Sequence, residues 1–126
     1  MDRGMPGGTY RRGLTVDVRR TPAAAVVAPS GELDHHSAER LRVALSECVT
    51  ESGGRIVIDC SGLEFCDSIG LNVLLATRLE AEKVGGAVHL AAMPPIVARI
   101  LEITGATAVF TVHETLAEAL APPPPE

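Results

Sequence analysis

Arg55-Ile56-Val57-Ile58-Asp59-Cys60, the connection Ser61–Asp67, and then Ser68-Ile69-Gly70-Leu71 decide the fold. The first six residues read as a buried central strand, because Ile56, Val57 and Ile58 form an unbroken apolar, β-branched run. Beyond the connection, Leu71, Leu75 and Leu79 recur at helical spacing, flanked by Leu74. That helix, over residues 68–84, stops at Gly85-Gly86. A buried strand feeding a helix is the repeating unit of a parallel sheet.

On the N-terminal side, Leu14–Arg19 alternates apolar and polar residues, the mark of a half-buried strand. Ala24–Ala28 is a short apolar strand ended by Pro29-Ser30-Gly31, and Ala38, Leu41, Leu45 and Cys48 mark a helix over 37–50 with Ser37 at its N-cap. On the C-terminal side, Ala87–Ala91 is another short strand. Pro95 suits the first turn of a helix carrying Ile96, Ile100 and Ile103 and ending at Gly105. Ala108–Val112 reads as a last strand and Glu114–Ala121 as a last helix. The order β-β-α-β-α-β-α-β-α predicts an α/β domain over 13–121 with right-handed crossovers and a largely parallel sheet, and leaves open an antiparallel hairpin at the first two strands. Helices can cover one sheet face or both; Asp59 and His89, polar within strands, point to a less covered face. Residues 1–12 read as an N-terminal arm or leader remnant, and residues 122–126 as a proline-rich tail.

A chain of 126 residues is one domain. Its aromatic residues are Tyr10, Phe65 and Phe110, so the core has to be aliphatic. The net charge is −5, divided unevenly: residues 1–20 hold five arginines and two aspartates, the remainder six bases and fourteen acids. An acidic body excludes nucleic-acid backbone binding and suits a protein partner with a basic surface. Cys48, Cys60 and Cys66 are odd in number and contain no C-x-x-C pair, which argues against a disulfide framework and a structural zinc site. The longest uncharged stretch, residues 84–98, is short and interrupted by Gly85, Gly86, Pro94 and Pro95, so no membrane span is expected. Without an apolar leader either, the expected setting is the reducing cytoplasm.

Two stretches carry candidate chemistry. Ser68 stands at a helix start, where unpaired N–H groups and the positive end of the helix dipole accept a phosphate with little strain. Asp67-Ser68 is equally an ordinary N-cap. Gly70, costly in a first turn, either admits another molecule's backbone or permits tight helix–sheet packing. A nucleophile elbow needs glycine at position 66, where Cys66 stands, and nothing in the sequence brings His89 or His113 to Ser68 as a base. In Gly31-Glu32-Leu33-Asp34-His35-His36-Ser37, the paired histidines and Asp34 lack a second set of metal ligands, so helix capping by Asp34 and Ser37 is the simpler reading. Cys60 and Cys66 lie in apolar sequence, where thiols are inert. No phosphate-cradling glycine motif is present, and no metal or cofactor is expected.

In order along the chain, Gly31-Glu32-Leu33-Asp34-His35-His36-Ser37-Ala38-Glu39, Ile58-Asp59-Cys60-Ser61 and Phe65-Cys66-Asp67-Ser68-Ile69-Gly70-Leu71 resemble the STAS-domain anti-sigma factor antagonists. The Gly-Glu-Leu-Asp-His-His run is most similar to the sporulation type, which antagonises the anti-sigma-F factor. The resemblance covers residues 14–120 and implies the STAS fold, a mixed sheet of four to five strands with about four helices. It implies partner switching and not catalysis. Ser68 then matches the serine phosphorylated by the anti-sigma factor, itself a serine kinase with a histidine-kinase-like ATPase fold. Asp34, Asp67, Ser68, Ile69 and Gly70 match residues that make or shape the partner-binding surface. The unphosphorylated form would hold the anti-sigma factor and free a sigma factor, and a PP2C-type phosphatase would reset the phosphorylated form. Ile69 stands where a small residue is frequent in the family, and Ser37 where threonine is common. A STAS-like interaction subunit without phosphorylation, such as one contacting a transporter ATPase, is the alternative reading.

Overall fold

The computed structural model describes residues 13–122, so the arm read over residues 1–12 and the tail after Pro122 lie outside the described residues. Strands β1 (Leu14–Arg20) and β2 (Ala25–Leu33) form an antiparallel hairpin, the pairing that the element order leaves open. Helix α1 (Ala38–Ser52) follows, then β3 (Arg55–Asp59), β4 (Leu63–Cys66) and α2 (Ser68–Lys83). Strand β5 (Ala87–Ala91), α3 (Pro95–Ile103), a 3-10 turn at Ala106–Val109, β6 (Thr111–His113) and α4 (Leu116–Leu120) complete the order. The main path of the sheet is β1-β2-β3-β5-β6, parallel everywhere except at the hairpin.

The α/β class and the mixed sheet agree with the sequence reading; the strand count does not, because Ser61–Asp67 is not all loop. Four of those residues form β4, which pairs in parallel with the distal half of β2. Strand β2 therefore has two partners in succession on one edge: Ala25–Val27 lie beside β3, and Gly31–Leu33 beside β4. Pro29 falls where β2 passes from one to the other, so its missing N–H removes no ladder bond with either. That placement is why Pro29-Ser30-Gly31 does not end the strand.

Side-chain alternation sorts the sheet into two faces. Ala25, Val27, Ile56, Ile58, Val88 and Leu90 join Leu41 and Leu45 of α1, Leu71 and Leu74 of α2, and Val97 and Leu101 of α3 in the main core. On the opposite face, Ala24, Val26, Val57 and Ala91 form a small cluster covered by Leu116, Ala119 and Leu120 of α4. The face carrying Asp59 and His89 is thus the less covered one, roofed only in part.

Two helical stripes differ from their sequence reading: in α2 Leu71 and Leu74 are buried as read but Leu79 is not, and in α3 the buried row is displaced by one position. In α2 the buried row is Gly70, Leu71, Val73, Leu74, Thr77 and Ala81, whereas Leu79 is 54% exposed. In α3 the buried residues are Val97 and Leu101, and Ile103 is 73% exposed. Small residues such as Gly70, Thr77 and Ala81 share the buried side of α2 with Leu71 and Leu74, an arrangement that hydrophobicity alone does not reveal.

Candidate functional site

Ser68 is the first residue of α2 and is exposed to solvent. Its position is fixed from three sides. Asp67 is the N-cap: its backbone N–H donates to the Leu33 carbonyl at 3.0 Å, and its Oδ1 accepts the Gly70 N–H at 2.8 Å. The other carboxylate oxygen, Oδ2, accepts the backbone N–H of His35 at 3.2 Å, tying the helix start to the loop between β2 and α1. Gly70 is buried, and a Cβ there would lie 2.6 Å from Leu33 Cγ and 3.0 Å from the Leu33 carbonyl oxygen. Of the two readings open for this glycine, tight helix–sheet packing is the one the geometry supplies. Gly70 supports the surface from beneath.

The neighbouring loop is held from within. Asp34 Oδ1 accepts the N–H groups of His36 at 2.9 Å and Ser37 at 3.2 Å, and the Ser37 hydroxyl at 3.3 Å. Burial pushes the Asp34 carboxyl pKa upward, but the hydrogen bonds from His36 and Ser37 and the nearby imidazole outweigh it and hold the group below its ordinary value. Ser37 occupies the N-cap position of α1 without a side-chain cap bond there. Its hydroxyl turns back to donate to the Glu32 carbonyl at 2.8 Å and accepts the Asp34 N–H at 3.0 Å. Asp34, expected to share the capping with Ser37, is the residue that closes the turn. His35 and His36 are exposed, with ring centroids 3.9 Å apart. Among the described residues no cluster of three or more metal-ligating side chains occurs.

Asp34, Asp67, Ser68 and Ile69 thus lie on one connected lip, formed by the β2–α1 loop and the start of α2. Ile69 is 48% exposed, and Phe65 of β4, three residues before Ser68, is 39% exposed. The sequence reading gives Phe65 no side. Its exposure follows from β4, whose register against β2 places Phe65 opposite Glu32 while Leu63 and Cys66 turn inward. A sequence reading that treats 61–67 as loop has no inside and outside to assign. The amides of Ser68 and Ile69 have no hydrogen-bond partner among the described residues, so the helix dipole's positive end faces outward beside the hydroxyl.

Catalytic alternatives find no support in the geometry. His89 Nδ1 and His113 Nε2 lie 2.9 Å apart and engage each other on the face roofed by α4, not Ser68. The three thiols are buried, and burial raises the Cys60 pKa to about 12 and the Cys66 pKa to about 11, which suppresses the thiolate.

Residues 15–119 match the family model of the STAS domain. The chain belongs to the STAS domain family. An anti-sigma-F factor antagonist of Mycobacterium tuberculosis is 34% identical to this STAS domain over 109 residues, a match spanning 85% of this chain and 87% of the relative. The crystal structure of an anti-sigma factor antagonist from Mycobacterium paratuberculosis superimposes with a TM-score of 0.78 at 34% identity, covering 86% of this chain and 92% of that one. The antagonist SpoIIAA of Bacillus, at 26% identity, matches in its unphosphorylated form with a TM-score of 0.72, over 83% and 92% of the two chains. Its phosphorylated form matches with a TM-score of 0.67, over 83% and 96%. No helix among the described residues of the STAS domain is long and apolar enough to cross a membrane.

Proposed function

We propose that this STAS domain is an anti-sigma factor antagonist, a regulatory binding protein and not an enzyme, switched by phosphorylation of Ser68. Unphosphorylated, it binds a cytoplasmic anti-sigma factor that is also a serine kinase, and so releases a sigma factor. Phosphorylated, it lets go, and a PP2C-type phosphatase restores the hydroxyl. The observation that carries this reading is the exposed Ser68 hydroxyl at the first position of α2, with uncapped amides beside it and the exposed side chains of Phe65 and Ile69 around it. Relatives that resemble the chain over most of its length bear the antagonist's name, and one of them is known in both phosphorylation states.

The switch needs no change of fold. A phosphoserine adds about −1.5 to −2 charges at neutral pH, and a helix start tolerates them. Within a docked interface the same dianion lies next to the Asp67 carboxylate, with Asp34 on the adjoining loop, and has to lose its water. A combined penalty of about 3 kcal/mol lowers affinity more than a hundredfold. Incubation with a cognate anti-sigma kinase and ATP, followed by mass spectrometry, tests the assignment: one phosphate is expected on wild type and none on Ser68→Ala. Equal labelling of the two would remove Ser68 from the mechanism.

A further inference from the structure

A second concavity lies far along the sheet from this lip, at the N-terminal ends of β3 and β5, on the face that α4 roofs. Its volume is about 600 Å³, which falls within the range of small-molecule sites. Val57 of β3, Ala87 of β5, and Ala119 and Leu120 of α4 form its apolar walls. The remaining lining includes proline, glycine and further alanine, and among the described residues no phenylalanine, tyrosine or tryptophan.

The polar side chains in the groove are few, Arg55 and His89. Although the chain carries a net charge of −5, no carboxylate among the described residues lines this groove. Arg55 stands at its edge without an ion-pair partner among the described residues, because the nearby Arg20 and Glu51 pair with each other. His89 also lines the groove. Its Nδ1 is occupied by His113, leaving Nε2 as the remaining hydrogen-bonding atom of the ring. An unpaired guanidinium over an apolar floor is complementary to a single anionic head on an alkyl chain.

We propose that this groove binds an amphiphilic monoanion, an unbranched alkyl carboxylate whose head meets Arg55 and whose chain lies along Val57, Ala87 and Leu120. Binding here is independent of Ser68, since the groove and the lip share no residue.

Isothermal titration of the full chain with octanoate, decanoate and dodecanoate, each below its micelle concentration, tests the assignment. Saturable one-to-one binding is expected, tightening about fourfold for each methylene buried. Decanol, which lacks the charge, is expected to bind at least about tenfold more weakly than decanoate, and Arg55→Ala to remove that difference. Ala87→Phe should fill the groove and abolish binding, while Arg55→Ala, a surface change, covers the case in which the phenylalanine variant fails to fold. Amide shifts on decanoate addition should centre on Val57, His89 and Ala119. Absence of saturable binding, equal affinity for decanol and decanoate, or shifts centred on Ser68 would each overturn the proposal. So would a variant ending at Ala121 that binds decanoate tenfold tighter, because the groove's resident would then be the chain's own end.

Discussion

The Asp67 side chain accepts the backbone N–H of His35 across 32 positions of sequence, while its other oxygen caps the helix that begins with Ser68. One carboxylate thereby holds two loops in register and orders the ground on which a partner would stand. Its value is geometric as much as electrostatic.

Replacing Asp67 separates these roles. Asp67→Ala loses both acceptors and should destabilise the fold by about 1–2 kcal/mol, the usual range for a lost cap. Asp67→Asn keeps one acceptor oxygen and turns an NH2 toward the other N–H, so it should recover at most about half of that loss. Urea denaturation of the three proteins decides it, and an alanine variant as stable as wild type would show that the tie to His35 contributes nothing.

Gly70→Ala pits helix propensity against packing. Propensity alone favours alanine by about 0.5–1 kcal/mol. The new methyl group, however, would sit 2.6 Å from Leu33 Cγ and 3.0 Å from its carbonyl oxygen. Overpacking of that kind costs about 1–3 kcal/mol, so the net change should be destabilising. A thermal melt that rises instead would mean Leu33 and α2 separate freely.

At the lip, charge and apolar contact should be separable in binding measurements. Ser68→Asp should keep the melting temperature within a degree or two but bind an anti-sigma kinase at least about tenfold more weakly than Ser68→Ala. Phe65→Ser and Ile69→Ser, both at exposed positions, should cost a similar factor with little effect on stability. Equal affinity across Ser68, Ala and Asp forms would remove the electrostatic argument. Unchanged affinity in the Phe65 and Ile69 variants would place the docking surface elsewhere.

The histidine pair predicts a pH dependence of stability. Burial, and then the facing His113, lower the His89 pKa from its ordinary 6.5. The unfolded chain therefore takes up a proton more readily than the folded one, and stability falls as pH drops below about 6.5. Denaturation midpoints at pH 7, 6 and 5 should decline more steeply for wild type than for His89→Gln. Parallel lines for the two proteins would show that the pair does not titrate in this window.

The alternation of Leu14–Arg19, the apolar runs at 56–58 and 87–91, and the glycine stops made the first strand, the parallel sheet and the first three helices legible. Strand β4 was hidden for a physical reason: its four residues bury only their two ends, and their partner strand continues through Pro29, a residue that ordinarily ends strands. With β4 unseen, Phe65 could not be placed on the outside. Ser68 and Asp67 stood out as a hydroxyl and its cap at a helix start, and Gly70 as a glycine costly in a first turn, but which of the two readings of Gly70 applies was not legible. Its contact is with Leu33, a residue whose nearness depends on the same concealed pairing.

The handover at Pro29 gives the domain two parts. One is a scaffold of β3, β5 and β6 against the first half of β2; the other is a short flap, β4, fastened to the remainder of the same strand and leading straight into Ser68. Substitutions at Glu64 and Phe65, the outward half of the flap, can therefore retune which protein is recognised while the inward Leu63 and Cys66 keep the architecture behind it unaltered, so one fold can serve separate, non-crossing circuits.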